Sequence, residues 1–370
     1  MMKPLQRRKR RPVQTVTMKD VAHEAGVSLM TVSRVLNGEK HVRAGTQERV
    51  QWAVTKLKYR LNPAARMLAG CEPREVGFIY SNPSHAYLSE LLVGALHEST
   101  ALGLRLTLGS ATSPTERLRE ITSLLDSGVN AFLLPPSMCN SNDVLSLLRN
   151  ASATWVAISP ASPESHPLSV SADHFDAART MTGHLVELGH RHIGFVTGDP
   201  ASKGGADRYR GHLHAMAEAG LQSRLVEQGY YTFQSGLDAT ERLLSRAPEC
   251  TAIIACNDDM AAAAISVAHR RGLHVPDDLT VVGFDDTPIS SIVSPAITTV
   301  RQPISQMAQS AIRMLDEAMK ASEQGRAGRL TQERFHCTLI KRQSSAPPRL
   351  RRVERSRRKA RSAATVSSTD

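Results

Sequence analysis

Cysteine is scarce in this chain of 370 residues. Cys71, Cys139, Cys250, Cys256 and Cys337 are odd in number, widely scattered and without a CxxC pair. That pattern excludes a disulfide framework and a zinc site, and reduced, mostly buried thiols are expected. Apolar runs approaching about 18 residues are missing, which excludes a membrane span. The basic opening MMKPLQRRKRRPVQ has no apolar segment behind it, so no secretory signal is read and a cytoplasmic location is expected. Catalytic signatures are absent too. No GxSxG elbow, HExxH, Walker A loop or strand-following GxGxxG occurs, so no catalytic residue and no cofactor are nominated. The pairs His190/His192 and His212/His214 suggest metal at first sight, but i, i+2 side chains on a helix point apart. Solvated or capping roles are expected for them, and no metal.

Charge is present in excess of one sign, with a net value of +11. Its placement is uneven. Residues 1–12 carry +6, residues 349–370 another +6 and residues 13–70 a further +5, which leaves −6 for 71–348. Positive charge therefore gathers on two tails and one small N-terminal domain, where a polyanion would be bound. A length of this size, with 41% hydrophobic residues, supports two or three domains with sizeable cores.

Three helices fit residues 17–60. Thr17 followed by Asp20 opens the first, with Val21, Ala22 and Ala25 as its apolar stripe, and Gly26 stops it. Ser28 caps the second, in which Val32, Val35 and Leu36 face inward while Leu29, Met30, Ser33 and Arg34 face outward. Asn37-Gly38 ends it, and Thr46 is expected to open a third helix with Val50, Ala53, Val54 and Leu57 inside.

From Val76 onward short apolar runs alternate with amphipathic stretches, the mark of βαβ units and parallel sheets. Strands are predicted at 76–80, 104–109, 131–134, 154–158, 193–197, 252–256 and 281–284. Helices are predicted at 88–102, 115–127, 176–188, 206–219, 236–244 and 260–271. About 270 residues exceed one comfortable core, so two doubly wound halves with a cleft between them are expected. After about Pro347 the sequence turns Arg- and Ser-rich and reads as a disordered basic tail.

The stretch from Thr17 to Gly38, with its AGVS turn and TVSRVLNG helix, closely resembles the DNA-binding headpiece of the lactose and purine repressor family, LacI/GalR. The pattern has a physical reason. Ala22, Gly26, Val27 and Val32 let two helices cross closely, so the second projects into a major groove about 12 Å wide. On that helix Arg34 suits guanine, and Leu29 and Met30 offer apolar contact to thymine methyls. Ser28, Thr31, Ser33 and Asn37 suit phosphate oxygens, and Thr17 joins the DNA-binding set at the first helix start. The stretch from Tyr59 to Ala69 resembles the family's hinge. That resemblance implies that Leu68 is a wedge in the minor groove at the centre of the site, with Ala65 packed beside it.

The resemblance continues through fragments of 75–345, including Leu188-Gly-His-Arg-His-Ile-Gly-Phe195, Asn257-Asp-Asp-Met-Ala261 and Val281-Val-Gly-Phe-Asp-Asp286. It implies a periplasmic-binding-protein-like clamshell of two parallel-sheet subdomains. The implied division runs 1–16 basic arm, 17–60 helix-turn-helix, 61–74 hinge, 75–345 effector and dimerisation domain with crossings near 172, 301 and 334, and 346–370 tail. Following the family pattern, Ser81 and Tyr87 line the cleft from the first half. Asp173, Arg208, Tyr231, Asn257, Asp258 and Asp285 do so from the second, with Gln302 at a crossover. Such a set suits a polyhydroxylated ligand. One departure is Ser159, which stands where some sugar-responsive members carry an aspartate. Asp258 can equally cap the helix that begins near Met260, and Asp285 a turn.

The resemblance therefore implies a transcriptional repressor of carbohydrate-utilisation genes. Its partners would be near-palindromic double-stranded operator DNA and a small effector, a sugar first and a nucleoside or purine second. It would act as a homodimer, nucleoid-associated when on DNA, and a tail without a leucine heptad argues against a tetramer. The alternatives are a sequence-independent architectural DNA binder and a solute-binding protein without a regulatory role.

Overall fold

A computed structural model of the chain describes residues 16–36, 42–57, 59, 74–80, 84–111, 113–222, 224–326 and 330–349. They belong to two units, divided after Pro73. Asn37, Ala65, Leu68 and Ser81, the hinge core, and all but the inner edges of the basic arm and tail lie outside the described residues.

In the N-terminal unit, helix α1 (Met18–Ala25) begins where Asp20 accepts hydrogen bonds from both the N–H and the hydroxyl of Thr17, each at 2.7 Å. Gly26, at φ 62°, adopts the left-handed conformation that stops α1 and turns the chain into α2 (Leu29–Leu36). The third helix, α3, spans Ala44–Lys56. It starts two residues before the expected Thr46, because the Arg43 carbonyl already accepts the Thr46 and Gln47 N–H groups. The core is small: Val21, Ala22, Ala25, Val32, Val50 and Ala53. Val35, Leu36, Val54 and Leu57 close its edges, as their spacing predicts.

The second unit is an α/β structure with two parallel sheets. Strands β1 (Glu75–Tyr80), β2 (Arg105–Ser110), β3 (Ala131–Leu134), β4 (Thr154–Ile158) and β5 (Leu168–Ala172) interleave with helices α4 (His85–Ala101), α5 (Pro114–Asp126) and α6 (Asn142–Asn150). The chain then enters a second half through α7 (His174–Glu187), β6 (Ile193–Thr197), α8 (Lys203–Glu218), β7 (Val226–Gln228) and α9 (Phe233–Arg246). That half is completed by β8 (Ala252–Ala255), α10 (Asp258–Arg270), β9 (Thr280–Val282) and α11 (Ile289–Ile292). After β10 (Thr299–Arg301) the long α12 (Ile304–Glu323) and edge strand β11 (Thr331–Phe335) rejoin the first half, and β12 (Thr338–Ile340) pairs antiparallel with β10.

The first sheet runs β11-β5-β4-β3-β1-β2 and the second β7-β6-β8-β9, with every pairing within them parallel. Each sheet is covered by helices, which explains why its central strands are continuous apolar runs. Strands β3, β4 and β6 coincide with the predicted spans. Strands β5, β7, β10, β11 and β12 are short and carry no continuous apolar run, and none is predicted. Helices α6 and α12 are unpredicted too, although each buries a helical stripe, Val144, Leu145 and Leu148 in the first and Met307, Ala311, Ile312 and Leu315 in the second. Among the described residues no helix is long and apolar enough to cross a membrane.

Candidate functional site

In the first unit, α2 is held from below by Val32, fully buried, and presents Leu29 and Met30 at 45% and 64% exposure. Arg34 is exposed on the same helix and Ser33 is half-buried. Ser28 accepts the Thr31 N–H at 3.1 Å and shares a 2.9 Å hydroxyl contact with Thr31, so one cap serves the helix start. Thr17 spends its hydroxyl on Asp20, whose carboxyl is held below its usual range by those bonds. Tyr59 packs on the edge of the core and donates its N–H to the Val54 carbonyl at 3.0 Å. The result is a short helix with an apolar tip and a guanidinium, standing proud of its own core.

In the second unit four predicted residues meet. Tyr87 of α4, Arg208 of α8, Tyr231 and Asp285 line one cavity of about 60 Å³, together with Ser159 and His174. The cavity lies at the carboxyl ends of the strands, where open parallel sheets bind ligands. Arg208 and Asp285 are each 5% exposed. Arg208 donates to the Cys256 carbonyl, to Asp285 at 3.3 Å and to the His174 ring at 3.4 Å, and its guanidinium lies 3.8 Å from the Phe284 ring centroid. The Gln302 amide also donates to Asp285. Burial pushes the Asp285 carboxyl up, and Arg208 and Gln302 oppose that shift. Burial, with Arg208 adding to it, holds His174 well below its usual range, so its ring is neutral.

Tyr231 sits at φ 63° and rests on two glycines; a Cβ at Gly198 or Gly205 would lie 2.0 or 2.6 Å from it. Its hydroxyl donates to Ser202 at 3.0 Å. Burial raises the hydroxyls of both Tyr87 and Tyr231 above their usual range, so both remain donors.

Other predicted residues are turned elsewhere. Asn257 caps α10 by accepting the Met260 N–H at 3.0 Å, and its amide donates to the Tyr231 carbonyl at 2.9 Å. It therefore holds the tyrosine, and it takes the capping role considered for Asp258. The Asp258 carboxylate accepts from the Thr287 N–H and hydroxyl and from the Thr299 hydroxyl. Burial lifts its pKa to about 8. Asp173 caps α7, pairs with Arg334 at 2.7 Å and lines a separate cavity of about 30 Å³ with His336 and Cys337.

His174, Ser202 and Phe284 were missed by sequence reading. A sequence signal exists for Ser202, a serine just before a helix, but not for the other two. The histidine pairs also differ from expectation. His190 and His192 lie on no helix; His190 is buried between the Thr251 hydroxyl and the Ala346 carbonyl. His212 is buried, stacked on Phe195, while His214 is exposed beside Glu218. Among the described residues no cluster of three His, Cys, Asp or Glu is placed to hold a metal. Cys139, Cys250 and Cys256 are buried and in no disulfide, Cys337 is half-buried, and burial pushes the Cys139, Cys256 and Cys337 thiols up to about 12. Thiols so shifted are poor nucleophiles.

Residues 17–62 match the model of bacterial regulatory proteins of the lacI family, and 182–345 match that of a periplasmic binding protein-like domain. The chain is 33% identical over 304 residues to the HTH-type transcriptional regulator AscG of Escherichia coli, covering 81% of this chain and 90% of that protein. Catabolite control protein A of Priestia megaterium is 34% identical over 310 residues, 82% of this chain and 92% of that one. Among solved structures, a CelR–cellobiose complex superposes with a TM-score of 0.69 at 28% identity, covering 89% of this chain and all of that one. A lac repressor dimer bound to operator and the anti-inducer ONPF gives 0.68 at 28% identity, covering 90% and 100%.

Proposed function

The chain belongs to the lacI family of bacterial regulatory proteins, and from that premise we propose that it represses carbohydrate-utilisation genes and is switched by a sugar bound between the halves of its second unit. The observation that carries the reading is the convergence of Arg208, Asp285, Tyr87 and Tyr231 on one cavity. An immobilised guanidinium, a carboxylate and two phenols supply the paired donors and acceptors that hydroxyl groups need. The relatives are regulators by name, and no turnover is part of the proposed role.

On the DNA side, Arg34 reads a guanine and Leu29 and Met30 pack on base edges. Ser28, Thr31, Ser33 and Tyr59 serve the phosphate backbone, as does Asn37, Thr17 sets the start of α1 at the DNA-binding face, and Leu68 and Ala65 act at the minor groove. Val93 and Leu96 of α4, Leu108 of β2, and Tyr230, Phe233 and Ile292 are exposed apolar side chains that favour a homodimer, which matches two operator half-sites. The proposed site of action is the cytoplasm, at the nucleoid. Ligand shifts the equilibrium between two arrangements of the halves, with a coupling of about 1–3 kcal/mol between sugar and operator.

A thermal-shift screen of sugars and nucleosides on the full chain tests this, because a ligand at about 100 times its Kd stabilises by about 2.7 kcal/mol. Operator titration with each hit then gives the sign of the coupling. A complete absence of ligand-dependent change in operator affinity would refute the switch.

A further inference from the structure

The cavity at Arg208 is too small to be the whole site. Its 60 Å³ holds about two waters, whereas pockets that enclose small ligands measure about 300–1,000 Å³. Ser159, His174 and Gly204 also line a neighbouring cavity of about 420 Å³, so the two compartments share a wall. With the halves arranged as they are, the inner compartment admits one end of a ligand and the outer one its body.

The shared wall carries an unexplained hydroxyl. Ser159 directly follows β4 at φ 49°, a conformation rare for a residue with a side chain, while its N–H is held by the Val170 carbonyl at 2.7 Å. It is 8% exposed, and its Oγ has no hydrogen-bond partner. A buried hydroxyl left unsatisfied on strained backbone destabilises the fold unless a ligand completes it.

The outer compartment narrows the class of that ligand. Its charged groups already meet internal partners. Lys203 contacts both oxygens of Asp207 at 2.5 Å, Arg334 pairs with Asp173, and Glu333 accepts the Ser310 hydroxyl. With two cations, Lys203 and Arg334, set against Asp207, Glu333 and Asp173, a phosphate would meet no net positive charge. No Phe, Tyr or Trp lines the compartment, and its one ring, the His174 imidazole, is held between Arg208 and Phe284, so a nucleobase would find no broad aromatic platform. Ser159, Ser169, Ser171 and Gln332 remain as hydroxyl and amide surface.

We propose that the effector is a neutral saccharide of at least two units, one end at Arg208 and the rest in the outer compartment, with Ser159 at the junction. This rests on the effector reading above and narrows it.

Calorimetric titration of the full chain tests it, with glucose, galactose, maltose, cellobiose, melibiose, lactose, glucose 6-phosphate and adenosine as probes. At least one disaccharide binds about tenfold or more tighter than its component monosaccharides. Ser159→Ala weakens that disaccharide about fivefold, the worth of one hydrogen bond. Ser171→Leu, which fills the outer compartment, brings the disaccharide-to-monosaccharide ratio towards one. Gln332→Ala, at an exposed position on the sheet edge, lowers the same ratio. Monosaccharides binding as tightly as disaccharides, or glucose 6-phosphate or adenosine binding tightest, overturns the proposal and leaves the effector reading intact. Failure of every probe, with operator binding retained, counts against both.

Discussion

In the N-terminal unit the side chains assigned to DNA stand outward from a core of six small residues, whereas in the larger unit those assigned to ligand are buried and serve as one another's partners. Met30 can be removed without touching Val21 or Ala53. Arg208 cannot be removed without leaving the buried Asp285 with no counter-charge and only the Gln302 amide. Binding and stability are therefore carried by different atoms in the first unit and by the same atoms in the second. That division suits a regulator whose reading head must diverge between operators while its ligand cleft must transmit a conformational change.

The sharpest way to break this comparison is Arg208→Met. A buried ion pair that loses one partner costs about 3–5 kcal/mol, because the remaining charge stays desolvated. Amide hydrogen exchange on the full chain should show peptides of 174–301 losing protection by that amount, with ligand binding abolished, while peptides of 17–57 are unaffected. If ligand binding is lost but protection of 174–301 is kept, binding and stability are separable there too, and the comparison fails.

The counterpart in the small unit is Val32→Ala. Val32 is fully buried beneath α2, and removing two carbons from so small a core costs about 2 kcal/mol in transfer and cavity terms. Exchange protection should fall across 17–57 and stay constant in 74–349. Arg34→Ala should do the reverse within the same unit. Operator affinity drops by about 1–3 kcal/mol for the lost guanine contact, and protection of 17–57 shifts by less than about 0.5 kcal/mol, as for other surface changes. A fall in protection comparable to that of Val32→Ala would place Arg34 in the fold.

The same contrast governs what could be read from the sequence. The Thr17–Asp20 box, the Gly26 turn and the inward spacing of Val32, Val35 and Leu36 are set within a few residues of one another, so all were legible. Even the misplaced start of α3 is a two-residue matter. In the larger unit the central strands at 131–134, 154–158 and 193–197 announce themselves as apolar runs. β11 does not, because it is a sheet edge whose Gln332, Glu333 and Arg334 face solvent, and only its pairing with β5, more than 150 residues earlier, makes it a strand. The cleft follows the same rule. Asp173 is drawn away by Arg334, Asn257 by the Tyr231 carbonyl and Asp258 by Thr287 and Thr299. Those diversions depend on partners between 26 and 161 residues distant, which no local motif encodes.

The mildest test uses pH. His212 is buried, accepts or donates at Thr182 and stacks on Phe195, and burial lowers its pKa from 6.5 to about 4. The folded chain therefore keeps this ring neutral at pH values where the unfolded chain protonates it. The unfolded state binds the extra proton as pH falls below 6.5, so the larger unit loses stability between 6.5 and about 4. Between about pH 7.5 and about pH 5.5 this histidine alone accounts for about 1 kcal/mol. His174, His184 and His190 are lowered too, chiefly by burial, and add to the slope. In the N-terminal unit the described histidine, His23, is exposed. Asp258, raised to about 8 by burial, pulls the other way over the same range, because the fold then binds the extra proton. His212→Leu isolates the ring's share: relative to the parent chain, the stability of 74–349 at about pH 5.5 should rise by about 1 kcal/mol against that at about pH 7.5, with hydrogen exchange corrected for intrinsic pH dependence as the measure. An unchanged difference would mean that the ring is already charged in the fold, contrary to its apolar surroundings.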